Sequence, residues 1–250
     1  MKLPLHFLLP KAEGIPVLMY HRVWDEKPDR LTITPGKLRE QFSFLRQNGY
    51  SSISLNEFLD VLDRGIQLPL KSFLLTFDDG YQTHFDIVYP MLKEFSFKAT
   101  FFIIGNTISN NNSEANPADK KMGLPDLNKL DHSVVQVALH GYNHISFGSS
   151  SSAEVAVDLA ANLDVMEQCG FPYYKVLAYP YGQRPKSAAD SRAFKKMLQE
   201  HGIQAAFRIG NKPCALPVKD RFELKRIDIS GTDSIKDFTI KLKKGKLKPF

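Results

Sequence analysis

The sequence predicts an α/β fold in which a parallel sheet, closed into a barrel, is surrounded by helices. Three observations favour it. About seven or eight apolar, β-prone runs alternate with helical patterns. Polar residues follow several of these runs directly, as at the open end of a barrel. The length of 250 residues is ordinary for one such barrel, so we expect residues 1–250 to form a single domain.

Capping residues mark the helices in the first half of the chain. Thr34 precedes Pro35, a residue favoured at the first helical position, and Gly49 supplies the stop. Ser54 and Glu57 form a capping box that starts the next helix. The strands expected in this half are 15–20, 50–53, 72–77 and 98–104, and an apolar stripe predicts a helix over 85–95.

The second half repeats this alternation. Ser151 and Glu154 form the capping box of a long helix that ends near Gly170. The strands expected here are 134–139, 176–179, 204–209 and 222–229, with helices over 188–199 and from Asp233 or Ser234 onward. Residues 105–130 are rich in Asn, Ser, Lys and Pro, and we interpret them as an insertion or mobile loop beside the site.

The stretch from Ser72 to Tyr81 is the most informative part of the chain. Its apolar run ends in two carboxylates and a glycine, Asp78-Asp79-Gly80. Adjacent carboxylates at the end of a buried strand repel each other and lose hydration, so they need a cation, hydrogen bonds or water. Within a strand they would point to opposite faces, whereas a break at Gly80 lets both turn toward one cleft. The alternative interpretation is an ordinary Asp-Asp-Gly turn.

Two histidines follow a later strand. His140 and His144 have the i, i+4 spacing that places two imidazoles on one side of a helical turn, where they can share a metal. Gly141 is a weak helix former, so a tight turn is the alternative. Two imidazoles with one carboxylate leave coordination positions open for water and substrate. That ligand set is compatible with one divalent ion, first of all Zn²⁺, and also with Co²⁺, Ni²⁺ or Fe²⁺.

These motifs carry a resemblance to a known family. Thr76-Phe77-Asp78-Asp79-Gly80, followed by His140-x-x-x-His144, resembles the polysaccharide deacetylases, the NodB (chitooligosaccharide deacetylase) homology domain of carbohydrate esterase family 4. The segments 17–23 and 177–182 resemble its branch of bacterial poly-N-acetylglucosamine deacetylases. The resemblance covers about 16–229 and implies a distorted (β/α)₇ barrel.

The resemblance also implies roles for individual residues. It assigns the metal to one carboxylate and two imidazoles, those of Asp79, His140 and His144. Asp78 would be the general base, since a carboxylate can take a proton from attacking water. The backbone N–H of Tyr181 would stabilise the oxyanion, and His21 would protonate the amine leaving group. Aromatic residues near the strand ends, Trp24, Tyr142, Tyr179 and Tyr181, are candidates for contact with sugar rings.

The sequence departs from the family pattern at two places. The family has an arginine two residues before the Pro of its third motif, where this chain has Ala178. The role of that arginine is either vacant or filled by Arg22, Arg208 or Arg226. The family's late Leu-x-His is also absent, because the last histidine is His201, which we interpret as structural. That absence favours His21 as the acid.

The expected function is metal-dependent hydrolysis of the N-acetyl group of an N-acetylhexosamine, first of all N-acetylglucosamine, in a glycan or glycoconjugate, with release of acetate. Alternatives are deacetylation of a poly-N-acetylglucosamine exopolysaccharide and a non-catalytic glycan-binding protein. A glycoside hydrolase is disfavoured, because adjacent aspartates are unlikely to straddle a sugar ring.

The net charge and the two ends of the chain suggest where in the cell the protein acts. The net charge of +6 suits an anionic partner, and much of the excess lies in the lysine-rich tail 241–250. No aromatic stripe accompanies the basic residues, which disfavours nucleic acid. The first ten residues make a poor signal peptide, although a chain with its leader removed would look the same. We therefore expect a cytoplasmic protein whose tail contacts anionic lipid or lipopolysaccharide at the inner membrane, with a lipid-linked or lipopolysaccharide-core sugar as substrate.

Overall fold

The computed structural model of the protein describes residues 14–109 and 116–245. Within these ranges the strands are β1 (Val17–Tyr20), β2 (Arg22–Val23), β3 (Thr32–Ile33), β4 (Ser51–Ile53), β5 (Ser72–Phe77), β6 (Ala99–Ile103), β7 (Val135–Leu139), β8 (Tyr173–Ala178), β9 (Ala205–Ile209) and β10 (Leu224–Asp228). The α-helices are α1 (Pro35–Gln47), α2 (Leu55–Arg64), α3 (Tyr89–Phe95), α4 (Asn106–Ser109), α5 (Leu124–Leu127), α6 (Ser152–Cys169), α7 (Ala188–Glu200) and α8 (Ile235–Lys244).

Seven of the strands in the described part of the chain close into a parallel barrel. Their order is β1-β10-β9-β8-β7-β6-β5, and β5 pairs back with β1. One edge of β5 follows β1, whereas the other pairs with β4 near its start and with β6 near its end. The strand β4 is therefore wedged between β5 and β6 at the amino end of the barrel. This arrangement confirms the expected distorted (β/α)₇ barrel.

The alternation of side chains along each strand divides the core in two. Leu74 packs inside the barrel, whereas its neighbours Phe73 and Leu75 belong to the larger cluster between strands and helices. The interior cluster includes Val17, Phe102, Ala138, Ala178, Phe207 and Leu224. Leu55 and Phe58 of α2 join the same cluster. The interior is thus packed with apolar side chains, and polar groups occupy its carboxyl end.

The predicted helix starts are confirmed. The Thr34 side chain accepts the Lys37 amide, and both predicted capping boxes form. Ser234, rather than Asp233, is the N-cap of α8. The helix expected over 85–95 is a π-helical turn, His84–Val88, followed by α3.

One predicted strand boundary is wrong by several residues. The strand expected over 176–179 begins at Tyr173, because Tyr173 and Tyr174 pair with β7 before an irregularity in register between Ala138 and Leu139. Such an irregularity depends on the neighbouring strand, so a local pattern does not reveal it.

Described residues of the segment 105–130 pack against the end of β5. Its described residues form α4, a 3₁₀ turn (Pro117–Asp119) and α5, while 110–115 lie outside the description. Met122 and Leu127 are fully buried in the larger core cluster. The Met122 amide donates to the Gly80 carbonyl at 2.8 Å. The described part is therefore built into the fold beside the acidic turn, and its interpretation as an insertion stays a prediction.

The described start of the basic tail belongs to α8. Lys241 donates to the Asp233 carboxylate at 2.5 Å and to the Asp228 carbonyl at 2.8 Å. Lys243 and Lys244 also lie in α8, whereas Lys246 and Lys248 of the expected tail lie outside the described residues. Among the helices of residues 14–109 and 116–245, none has the length and hydropathy needed to cross a bilayer.

Candidate active site

Strand alternation brings an arginine and an aspartate together at the carboxyl end of the barrel. On β5, the inner face that carries Leu74 and Thr76 continues to Asp78. On β10, the inner face that carries Leu224 continues to Arg226. Arg226 donates from Nη1 to Asp78 Oδ1 at 2.6 Å and from Nη2 to Oδ2 at 2.7 Å. Both side chains are buried, so this is a desolvated, bidentate ion pair.

This pair decides among the three arginines that the sequence left open. Arg22 pairs with Asp119, and Arg208 pairs with Glu223, whereas Arg226 holds Asp78. Ala178 is fully buried in the interior cluster, so a side chain from either strand position would enter the same space. Arg226 thus supplies from β10 the guanidinium that binds Asp78, while position 178 on β8 carries only a methyl group.

Backbone geometry turns Asp79 toward the same cavity. Asp79 and Gly80 have φ values of +72° and +67°, which end the strand alternation. Positive φ is uncommon for a residue other than glycine and marks a site that the surroundings constrain. Asp79 Oδ1 lies 3.3 Å from His140 Nε2 and 3.5 Å from His144 Nε2. The acidic pair is therefore not an ordinary surface turn, because both carboxylates face the cavity.

The two histidines lie on a tight turn, not on a helix. Gly141 and His144 have φ values of +77° and +55°, so the helical alternative is wrong and the turn alternative is confirmed. The imidazole centroids are 4.8 Å apart. A glycine at 141 permits the positive φ at little cost.

The donor set suits a divalent cation. Asp79, His140 and His144 each offer one ligand atom, and these three atoms lie within 4.8 Å of one another. His140 Nδ1 donates to the Ala178 carbonyl at 2.8 Å, which leaves Nε2 as the ring nitrogen that faces Asp79. Asp79 Oδ1 is buried and has no hydrogen-bond partner among the described residues. One carboxylate oxygen and two imidazole nitrogens that converge in this way fit a divalent metal ion.

The charges of the site shift several pKa values. Burial alone would raise the pKa of Asp78, but the charges of Arg226 and His140 outweigh burial and lower it. Burial alone would lower the pKa of His140, but the charges of Asp78 and Asp79 raise it. Burial, then the charge of His140, lowers the pKa of His144 to about 4. Asp78 is therefore ionised at neutral pH, and His144 is neutral.

His21 lies beside the Asp78 carboxylate. Its Nε2 is 3.8 Å from Asp78 Oδ2, and His140 Nε2 is 3.8 Å from the same oxygen. The main-chain carbonyl of His21 accepts from His84 Nε2 at 2.7 Å. Sequence reasoning missed His84, which lies in a helical stripe with no local signal. Burial lowers the pKa of His84 to about 4, so it is neutral and holds the backbone of His21.

The predicted aromatic residues lie in different environments. Tyr181 has φ +57°, is 60% exposed, and its ring centroid lies 4.6 Å from that of His144. Tyr179 is buried, with its hydroxyl donating to the Phe222 carbonyl at 3.0 Å. Within the described chain, Trp24 and Tyr142 are not among the residues that line the cavity, whereas the other two are. Their contact with sugar stays a prediction.

The cavity at this end of the barrel has a volume of about 250 Å³. It is lined by the predicted residues His21, Asp78, Asp79, His140, His144, Tyr179 and Tyr181. Arg30, Leu31 and Asp228 also line it, and local sequence patterns did not identify them. Asp228 lies on β10 two residues after Arg226, so strand alternation could have found it. The cavity thus combines a buried carboxylate, a candidate metal site and an exposed aromatic side chain at its rim.

A family profile described as "Polysaccharide deacetylase" matches residues 66–206, more than half of the chain. The matched region contains Asp78, Asp79, His140 and His144, and Arg226 lies beyond it. The poly-beta-1,6-N-acetyl-D-glucosamine N-deacetylase of Escherichia coli (strain K12) is 35% identical over 115 residues, which is 45% of this chain and 16% of that protein. The protein of the same name from Staphylococcus epidermidis is 27% identical over 235 residues, covering 85% of this chain and 78% of that protein.

Solved structures share the fold. Streptococcus pyogenes deacetylase PplD, solved in complex with acetate, has a TM-score of 0.79 and 19% identity, covering 93% of this chain and 99% of that one. IcaB from Ammonifex degensii has a TM-score of 0.77 and 22% identity, covering 93% and 98%. These likenesses support the barrel, and the profile match over more than half of the sequence identifies the family. The chain belongs to the polysaccharide deacetylase family.

Proposed function

We propose that the protein is a metal-dependent N-deacetylase that hydrolyses the acetamide of an N-acetylhexosamine, first of all N-acetylglucosamine, in a glycan and releases acetate. The observation that carries this proposal is the buried Asp78–Arg226 pair, placed beside three convergent ligand atoms in one cavity. Family membership and the names of the two relatives support the same activity.

Each residue has a distinct task in this proposal. Asp79, His140 and His144 would hold one divalent ion, with Zn²⁺ first and Co²⁺, Ni²⁺ or Fe²⁺ as alternatives. The bound ion would supply Lewis acidity toward water and the acyl oxygen. Arg226 orients the Asp78 carboxylate and keeps it ionised, so that Asp78 takes the proton of the attacking water.

The remaining steps concern the oxyanion and the leaving group. The Tyr181 backbone N–H, on the strained turn at the cavity rim, donates to the oxygen on which negative charge develops. His21 gives its proton to the departing amine, and the hydrogen bond from His84 holds the backbone of His21 in place. The product is a free amine on an intact glycan together with acetate.

The two candidate substrates differ in how the sugar is presented. Poly-β-1,6-N-acetylglucosamine is supported by the names of both relatives. A lipid-linked or lipopolysaccharide-core sugar, reached by the basic tail at an anionic membrane, is supported by the net charge of +6. Lys241 is already paired with Asp233, which weakens the second candidate.

Acetate release from defined β-1,6-N-acetylglucosamine oligomers and from lipid-linked N-acetylhexosamines, with and without chelator, tests the proposal. We expect release that chelator abolishes and Zn²⁺ restores. Asp78→Asn should lose release and keep glycan affinity, whereas Asp164→Asn, at an exposed position on α6, should behave as the parent. Release that resists chelator refutes metal dependence. Glycan binding without acetate identifies a binding protein, and new reducing ends identify a glycoside hydrolase.

A further inference from the structure

We propose that Asp158 of α6 is a positioning residue that sets the geometry of the histidine turn. The turn, residues 140–144, carries both imidazoles of the candidate metal site. This inference rests on the proposed function, which assigns those imidazoles to a metal. Asp158 touches neither the cavity nor a candidate ligand atom, so it would act through the backbone.

The Asp158 carboxylate is fully engaged by the turn. Asp158 is 4% exposed. Its Oδ2 accepts the Tyr142 amide at 2.8 Å, and its Oδ1 accepts the Asn143 amide at 2.7 Å. Hydrogen bonds to an ionised carboxylate are stronger than those between neutral groups. Two consecutive amides of the turn are therefore fixed by one side chain from a long helix.

The carbonyls of the turn are held by residues 105–106, which follow β6. The Gly105 amide donates to the Gly141 carbonyl at 2.9 Å, and the Asn106 amide donates to the Tyr142 carbonyl at 3.0 Å. The turn is thus clamped between α6, which binds its amides, and residues 105–106, which bind its carbonyls. This clamp leaves the backbone little freedom to change its dihedral angles.

The clamp accounts for the positive φ of His144, a backbone conformation that is unfavourable by itself. His144 has φ +55°, a value that costs free energy for a side chain of its size and persists where the surroundings impose it. A Cβ at Gly141 would lie 2.9 Å from Asp158 Oδ2, so the close approach of the carboxylate requires glycine there. Loss of the carboxylate would leave two amides unpaired and let the turn relax, moving His144 Nε2 away from Asp79.

Zn²⁺ affinity of the purified protein, measured by competition with a chromophoric chelator, tests this inference. Asp158→Asn keeps one acceptor but turns an NH₂ group toward the second amide. We expect it to bind Zn²⁺ about 10- to 100-fold more weakly, the range found when a partner of a metal ligand is altered. The absorption spectrum of bound Co²⁺ should change as well. Asp164→Asn, on the same helix, should bind both ions as the parent does.

The outcomes separate positioning from stability. If Asp158 has only a structural role, Asp158→Asn will have a lower melting temperature, but its folded form will bind Zn²⁺ with the parental affinity. That result overturns the inference about Asp158 and leaves the proposed function standing. Failure of the parent to bind Zn²⁺ refutes the proposed metal site and this inference with it. If Asp158→Asn does not fold, amide hydrogen exchange in the parent decides: slow exchange at Tyr142 and Asn143 supports the clamp, and exchange as fast as in exposed loops overturns it.

Discussion

Replacing Arg226 by methionine isolates the energy of the buried ion pair. The guanidinium and the Asp78 carboxylate are 1% and 2% exposed, and two short hydrogen bonds join them. Methionine fills similar volume but removes the charge, which leaves the carboxylate buried without its partner. Breaking a buried pair in this way costs about 3–5 kcal/mol. For a domain of this size the melting temperature should fall by roughly 6–20 °C.

Urea unfolding followed by circular dichroism measures the loss. Asp78→Asn, Arg226→Met and the double variant form a cycle, and we expect a coupling energy of about 2–3 kcal/mol between the two sites. Arg192→Met, at an exposed position on α7, should change stability by less than about 0.5 kcal/mol. Acetate release should also fall in Arg226→Met, since Asp78 loses its orientation. A loss below about 1 kcal/mol, or additive losses in the double variant, would refute the reasoning.

Three further predictions concern stability. Gly80→Ala should cost about 1–3 kcal/mol, because φ is +67° and the new Cβ would lie 2.9 Å from Ile103 Cδ1; an unchanged urea midpoint contradicts this. Ser54→Ala should cost about 1 kcal/mol in the same assay, since the Glu57 amide loses its cap, and no loss would show that the capping box contributes nothing. Burial alone would raise the pKa of Glu223, but the hydrogen bond and charge of Arg184 and the charge of Arg208 lower that pKa. The ionised form of Glu223 therefore stabilises the fold at neutral pH, and this contribution is lost as the pH falls. The urea midpoints of the parent and Glu223→Gln should therefore differ most at pH 7 and approach each other as the pH falls below the ordinary pKa of a glutamate, whereas a constant difference would exclude the linkage.

Local patterns predicted the elements well where the interactions are themselves local. The capping boxes at Ser54 and Ser151 join residues three positions apart, so their geometry is contained in the sequence. Side-chain alternation along β5 is equally local, and it places Leu74, Thr76 and Asp78 on one face. The start of β8 was missed because its first residues depend on pairing with β7.

The sequence predicted the chemical groups of the site but not the tertiary contacts that hold them. The residue types and the order of Asp78, Asp79, His140 and His144 are enough to indicate a metal and a base. Whether the histidines lie on a helix or a turn depends on Asp158 and on the end of β6, which contact the turn from other elements. His84 was missed because its partner is a backbone carbonyl 63 positions away.

The sequence by itself determined the strand–helix alternation, the helix starts and the residue types at the strand ends, because these follow from interactions between near neighbours. Only the tertiary structure decided which arginine holds Asp78. Closure of the barrel sets β10 beside β1 and so brings Arg226 against a carboxylate 148 positions away. It also decided that both carboxylates face one cavity, because positive φ values at Asp79 and Gly80 end the strand alternation there. Contacts of this kind depend on strand order, which side-chain periodicity does not encode.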